Sequence, residues 1–290
     1  MLRAPGQPPP TAVVTASHTG LGLAIARELA GHGARVVLTS RDARAAAGAA
    51  AALRREASYG DAEHEAESLF TAYPSALDVG DTRSIRAFFE HAESEYDGVI
   101  DILVNNAAIC QPGWTCDSAH ETWRTNVQGP MALTAAALPG MLRRRRGHVV
   151  NVSSGDGELV YLNTALQAVL QEAQSSRAIL RTLARCSPPR DALGPSPAHG
   201  PTPAYAISKA SLNRFTQLTA EQLPPPDDCG VRISAVCPGD VFTRMCTDPS
   251  RAIPPKMAAR DIVRLCSAGL ARSPSLPSGQ FWRYGRQLSF

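Results

Sequence analysis

The sequence predicts an α/β fold, a single-domain Rossmann-type doubly wound parallel sheet with helices on both faces. Three observations predict it. Short β-branched runs alternate with helical stretches of ten or more residues along nearly the whole chain. The runs are apolar throughout rather than alternating, as in strands covered on both faces. The first run breaks into a glycine-bearing turn that opens straight into a helix, the place where such sheets hold ligands. The 290 residues, 44% of them hydrophobic, are ample for one core. No internal repeat interrupts the pattern. We expect one domain over 11–290, with 1–10 as a short disordered segment.

"TAVVTA" (11–16) is the first buried strand, and "SHTGLG" leads into the helical "LAIARELAGHG", stopped by glycine. "ARVVLTS" (34–40) is the second strand, followed by an alanine-rich helix from Arg41 to about Glu56. The polar, acidic segment 57–74 reads as a surface excursion. A short strand ending at "LDV" (77–79), a helix over 81–96 and the strand "VIDILVNNA" (99–107) follow. One long helix is expected over about 117–145, then the strand "GHVVNVSS" (147–154). The segment of about 156–203 is an insertion, helical over 159–185 and Pro/Gly-rich loop over 187–203, because the sheet pattern resumes beyond it. A helix over 204–223, the strand "VRISAVCPG" (231–239), a helix near 257–271 and the last strand "GQFWRY" complete the chain.

Composition excludes several classes. A net charge of +3 with acids and bases interspersed leaves no footprint for nucleic acid or an anionic membrane. The run Arg143, Arg144, Arg145, Arg146 reads as a solvated helix end, where cations suit the dipole. The seven cysteines are dispersed, with no zinc spacing and no CxxC pair, which suits a reducing compartment. Cys110 and Cys116 read as small buried hydrophobes. The first ten residues are too short and proline-rich for a signal, and no apolar run reaches membrane-spanning length. The expectation is a soluble, cytoplasmic protein with no metal.

The turn "TASHTGLG" (15–22) sits between the first strand and the first helix, where backbone N–H groups and a helix N-terminus meet a phosphate. Glycine is needed where a Cβ would block the approach. After the second strand, an acid would bind a ribose 2′-hydroxyl and a base would suit a 2′-phosphate. The strand ends at Ser40 with Arg41 next. Arg41 points to NADP(H) if it grips that phosphate; the alternative is a solvent-facing arginine at a helix start.

"AYAISKAS" (204–211) holds one of only two lysines in the chain, Lys209, four residues after Tyr205. On a helix the two share one face. A free phenol has a pKa of about 10, and a nearby ammonium would lower it and make a better matched acid for a carbonyl oxygen. The pair follows the strand "VVNVSS", whose carboxyl end opens into the same crevice. There Ser154 could hydrogen-bond a developing alkoxide.

Together these residues resemble the short-chain dehydrogenase/reductase superfamily, over about 11–285. The matching pieces are "TASHTGLG", "NNAA" (105–108), "TNVQG" (125–129), "NVSS", "YAISK" and "CPGDVFT" (237–243). The long helical gap before the tyrosine and the ending "GQFWRYGRQLSF" look like the monomeric carbonyl reductase branch. The resemblance implies that Tyr205 is the general acid in reduction. Lys209 would lower its pKa and bind the nicotinamide ribose. Ser154 would position the carbonyl, and Asn126 would hold a relay water behind Lys209. It implies cofactor contacts from Thr15, Ser17, His18, Thr19, Gly20, Leu21 and Gly22, from Asn105, from Asp78 at the adenine edge, and from Pro238, Gly239, Val241 and Thr243 near the nicotinamide. Ser153 is expected to pack rather than act. A monomer is implied, since the insertion covers the surface that others use to oligomerise.

Three departures bear on the cofactor. Ala16 replaces the first glycine of the motif, and if it has a positive φ it costs about 1 kcal/mol. Thr19 stands where NADPH users often have a base, and Ala108 ends "NNAA". Segments 109–114, 155–158 and 240–245 would choose the substrate. Trp114 and Phe242 are either walls of an apolar pocket or ordinary core and surface aromatics. Three readings follow: an NADPH-dependent reductase of a small ketone, aldehyde or quinone; an NAD(P)-dependent alcohol dehydrogenase on one dedicated metabolite; or a cofactor-binding regulatory or scaffold protein without turnover. The intact Asn126, Ser154, Tyr205 and Lys209 weigh for the first.

Overall fold

The computed structural model describes residue 2 and residues 8–57, 69–185, 202–246, 248–271 and 276–289. β1 (Thr11–Val14) leads into α1 (Gly20–Gly31), and β2 (Arg35–Leu38) into α2 (Ala43–Ala57). β3 (Phe70–Ala72), α3 (Thr82–Tyr96) and β4 (Ile102–Asn105) follow. Next come α4 (Cys116–Trp123), a π-helical turn (Arg124–Gln128), α5 (Gly129–Arg144) and β5 (Gly147–Val152). The insertion holds α6 (Thr164–Glu172) and α7 (Ser176–Arg185). α8 (Pro203–Gln222), β6 (Val231–Cys237), α9 (Pro255–Leu270), β7 (Phe281–Arg283) and β8 (Arg286–Leu288) finish the fold.

The strands lie side by side in the order β3-β2-β1-β4-β5-β6-β7-β8. All pairs are parallel except β7 with β8. The chain winds outward from β1 in one direction to β3 and in the other to β8. The switch point therefore falls between β1 and β4, and the crevice opens at their carboxyl ends.

Each central strand divides its side chains between two cores. Ala12, Val14, Val36, Leu38, Ile102, Val104, Val150 and Val152 join the side chains of α1, α2 and α9 on one face. Val13, Val37, Leu103, Val149 and Ile233 meet α3, α4, α5 and α8 on the other. These runs carry consecutive apolar residues because both faces are covered. Leu170, Ile179 and Leu183 of the insertion join the second core beside α8. Arg214 of α8 also donates to the Ala173 carbonyl at 2.8 Å.

Several elements differ from the expected ones. The third strand is β3, inside the segment expected as a surface excursion, and not the stretch ending at 79. Phe70 and Tyr73 are buried and anchor it against β2, with Val36 beside Phe70. Leu77 is tied instead by its N–H to the Ser40 carbonyl at 2.8 Å. Residues 58–68 of that excursion lie outside the described residues, as do 187–201 of the expected loop. The long helix expected over 117–145 is two helices joined by the π-helical turn. β8 was not foreseen: Tyr284 and Gly285, both at positive φ, turn the chain back on β7. Leu2, expected in a disordered segment, is buried, and its N–H donates to the His32 carbonyl at 2.9 Å. The arginine run is less free than expected, since Arg144 donates to the Ile100 carbonyl at 2.8 Å and Arg146 lies 3.6 Å from Asp101.

Candidate active site

The turn after β1 is shaped by side chains that face inward. The Thr15 hydroxyl accepts from the Asn106 and Ala107 N–H groups, both at 2.9 Å. The Ser17 hydroxyl donates to the Val14 carbonyl at 2.8 Å and accepts from Thr39 N–H at 2.9 Å. Both side chains are buried and committed to holding the turn. What the turn can offer is backbone. Ala16 has a φ of 53° and Gly20 a φ of 56°. A Cβ on Gly22 would lie 2.6 Å from the Asn106 amide nitrogen and would overlap the Ala16 carbonyl, so only glycine fits there. The N-terminus of α1 receives no side-chain cap from exposed Thr19, which leaves it open toward the crevice. Half-buried His18 has its Nδ1 enclosed without a partner, and Leu21 packs into the core beneath.

The neighbouring loops frame this turn. Arg41 is exposed just beyond β2. Asp78 is half-buried, and one of its oxygens accepts from Gly80 N–H at 2.9 Å. Thr243 lies 3.4 Å from the place of a Gly20 Cβ, which brings the segment after β6 over the first turn. Gly239, at a φ of 78°, leaves room for the Tyr284 ring. Pro238 is half-buried, and Val241 is buried and bridged to Ile253.

Asn105 faces away from this surface. Its amide donates to Asn151 Oδ1 at 2.8 Å, and Asn151 donates to the Thr216 hydroxyl at 2.9 Å. This buried polar chain ties β4, β5 and α8 together, so the Asn105 side chain is committed to the structure of the sheet. Its neighbour Asn106, overlooked in the sequence, reaches the turn instead, donating to the Thr15 carbonyl at 2.9 Å. The repeated asparagine of "NNAA" was the available signal.

The other end of the crevice gathers Ser154, Tyr205 and Lys209. Ser154 closes β5, and its hydroxyl accepts from Asp156 N–H at 3.2 Å and bonds the Tyr205 side chain. Pro203 begins α8 and so sets Tyr205 and Lys209 in its first two turns. Lys209 is buried, with Nζ 5.3 Å from the Tyr205 ring centre and donating to the Val152 carbonyl at 2.7 Å. Ser153 is buried and donates to the Lys209 carbonyl at 3.4 Å, the packing role expected of it. Asn126 is also buried, in the π-helical turn. Its amide oxygen accepts from Ile109 N–H at 2.9 Å, and its nitrogen donates to the Ile109 carbonyl at 2.8 Å and the Ser208 hydroxyl at 3.1 Å. Both amide hydrogens are used, so the Asn126 side chain ties the backbone at 109 to α8. π-helical turns of this kind recur at functional sites.

The electrostatics overturn one expectation. Burial raises the Tyr205 phenol well above its ordinary value, the fields of Cys110, Asp156 and Cys237 add to the rise, and the Ser154 hydrogen bond opposes it. Burial outweighs the lowering expected from Lys209. Burial draws Lys209 itself down to about 8, against the pull of Cys110, Cys237 and Asp156. Tyr205 is therefore a fully protonated acid, and Lys209 is a cation held close to its own titration. Cys110, half-buried, belongs to this group and not to the apolar core, and Cys116 is exposed. Trp114 packs edge-on against Trp123, 5.7 Å between ring centres, whereas Phe242 is 61% exposed beside the crevice. Among the described residues no cluster could hold a metal ion, and no helix is long and apolar enough to cross a membrane.

Comparison with known proteins bears on this arrangement. Residues 10–166 match the family model of the short chain dehydrogenases. The chain is 32% identical over 269 residues to (+)-neomenthol dehydrogenase of Arabidopsis thaliana, covering 82% of this chain and 84% of that protein. It is 28% identical over 253 residues to the oxidoreductase UcpA of Salmonella typhimurium, covering 83% and 73%. Among solved structures it resembles a metagenomic short-chain oxidoreductase in complex with NADP, with a TM-score of 0.64 and 27% identity over 94% of this chain and 96% of that one. Salutaridine reductase from Papaver somniferum shares the fold, with a TM-score of 0.73 at 23% identity over 94% and 99% of the two chains.

Proposed function

The chain belongs to the short-chain dehydrogenase/reductase family of NAD(P)-dependent oxidoreductases, and on that premise we propose that it is an NADPH-dependent reductase of ketone, aldehyde or quinone carbonyls. The observation that carries the reading is the convergence of Ser154, Tyr205 and Lys209 at the carboxyl end of β5, with Nζ bonded to the Val152 carbonyl at 2.7 Å. The uncapped N-terminus of α1 and the close approach allowed by Gly22 fit the diphosphate of such a cofactor. Arg41, exposed after β2, is the residue we assign to a 2′-phosphate.

NADPH, when bound, supplies the hydride. The Ser154 hydroxyl donates a hydrogen bond to the substrate oxygen and orients it. Tyr205 gives its proton to that oxygen as negative charge develops there. The Lys209 ammonium stands one helical turn behind the phenol. Its positive charge favours the phenolate left after transfer, although in the resting site burial outweighs that effect. Asn126 keeps the backbone at Ile109 tied to α8, which carries Tyr205 and Lys209. Alcohol oxidation, the reverse, is supported by the dehydrogenase name of the Arabidopsis relative; Arg41 favours NADPH and hence reduction. We read the chain as a cytoplasmic monomer, with α6 and α7 covering the flank of α8.

The test is NADPH oxidation by purified protein across a panel of ketones, aldehydes and quinones. Turnover of at least one carbonyl with NADPH preferred over NADH supports the reading. NADPH bound with no carbonyl reduced, and no alcohol oxidised, would falsify it in favour of a cofactor-binding scaffold.

A further inference from the structure

We propose that Arg283 is a positioning residue that locks the turn carrying Ser154 to the exit of β6; this rests on the reading of Ser154 as the group that orients the substrate carbonyl. β7 runs parallel to β6, so Arg283, its last residue, arrives at the same sheet edge as Ser154 and Cys237. Its Nε donates to Cys237 Sγ at 3.2 Å, and its Nη2 lies 3.5 Å from Glu158 Oε1. The same fork is pressed against Gly155, where an added Cβ would overlap Nη2. On the β6 side, Cys237 Sγ accepts from Gly239 N–H at 3.4 Å, and the adjacent Tyr284 ring occupies the space beside Gly239. One guanidinium thus joins the segment on either side of the crevice.

The turn also has ties to α8. Asn213 donates to the Gly157 carbonyl at 3.1 Å, and a Cβ on Gly157 would sit 2.8 Å from the Lys209 backbone. Those contacts fix the turn relative to Tyr205 and Lys209. Arg283 fixes it relative to Pro238 and Gly239, on the cofactor side. A hydroxyl that must meet a carbonyl at hydrogen-bond distance tolerates little drift between the two. The Arg283–Glu158 pair is partly exposed, 32% and 20% at the side chains, so it contributes little to global stability. Its loss should register in the site and not in unfolding.

Two measurements test this on the intact chain. Arg283→Met keeps the aliphatic stem and removes the fork. It should lower kcat by about tenfold or more while leaving the Kd for NADPH and the Tm unchanged. It should also speed hydrogen exchange at the Gly157 and Glu158 amides, which donate to the Ser154 and Gly155 carbonyls. Gly155→Ala should cause a similar exchange defect in the wild type and almost none in an Arg283→Ala background, because the clash partner is gone. Wild-type kcat and wild-type exchange in Arg283→Met, or equal effects of Gly155→Ala in both backgrounds, overturn the clamp. If the wild type reduces no carbonyl, the reductase reading fails, and the exchange data still decide whether Arg283 holds the turn.

Discussion

At the amino end of α1 the crevice is lined with backbone, whereas at the start of α8 it is lined with side chains. Thr15, Ser17 and Asn106 spend their polar groups inside the turn, so that main-chain atoms and the open end of α1 form the surface. Ser154, Tyr205 and Lys209 instead gather a hydroxyl, a phenol and an ammonium within one cluster. The contrast explains which departures the chain carries. A backbone cradle depends on φ and on clearance, and Ala16 adopts a positive φ there at a cost of about 1 kcal/mol. A side-chain constellation has no comparable substitute, and it is intact.

The largest expected effect breaks the chemical end alone. Tyr205→Phe should lower kcat/KM by roughly 10²–10⁴-fold, the usual weight of a general acid. Next, Arg41→Asp acts on the cradle alone. Losing a charge-assisted bond to phosphate should weaken NADPH by roughly 10–100-fold and shift preference toward NADH, with kcat on saturating NADPH little changed. Unchanged preference would remove Arg41 from the cofactor site.

A smaller effect is read from pH. Tyr205 stays protonated through the neutral range because its pKa is raised, and Lys209 loses its proton as pH rises through about 8. The kcat/KM for reduction should be level below that value and fall above it. Lys209→Arg, which stays charged, should retain some activity and lose this alkaline limb. A limb near 10 that persists in Lys209→Arg would assign it to the phenol. The smallest change is Ala16→Gly. Relief of the positive φ should tighten NADPH by less than about tenfold and leave kcat unaltered; no change in binding would show that the turn absorbs alanine without strain.

The fold was legible because its signals are local. Runs such as 11–16 and 34–40 carry consecutive apolar residues on both faces, the pattern of strands covered on both sides. The third strand was misread because Phe70–Ala72 is three residues long and sits in a polar neighbourhood, so periodicity had too little length to act on. Tyr205 and Lys209 were legible from a four-residue spacing on one helix. The structural role of the Asn105 side chain was not legible because Asn151 lies 46 residues beyond it and Thr216 a further 65 beyond Asn151, and only the sheet brings them together. The sign of the Tyr205 shift was missed for a related reason. A spacing places two side chains on one face but says nothing of how deeply both are buried, and burial is the larger effect. Arg283 carried no signal, since its role depends on β7 ending beside Gly155 and Cys237.

The most direct test of the division between the two ends is to measure NADPH affinity and single-turnover hydride transfer side by side in the wild type and Tyr205→Phe. The account predicts that the variant binds NADPH with a Kd within about twofold of the wild type, while the reduction step slows by at least about a hundredfold. A variant that loses cofactor binding and turnover in equal proportion would contradict it, because the phenol would then belong to the binding surface and not to the chemistry.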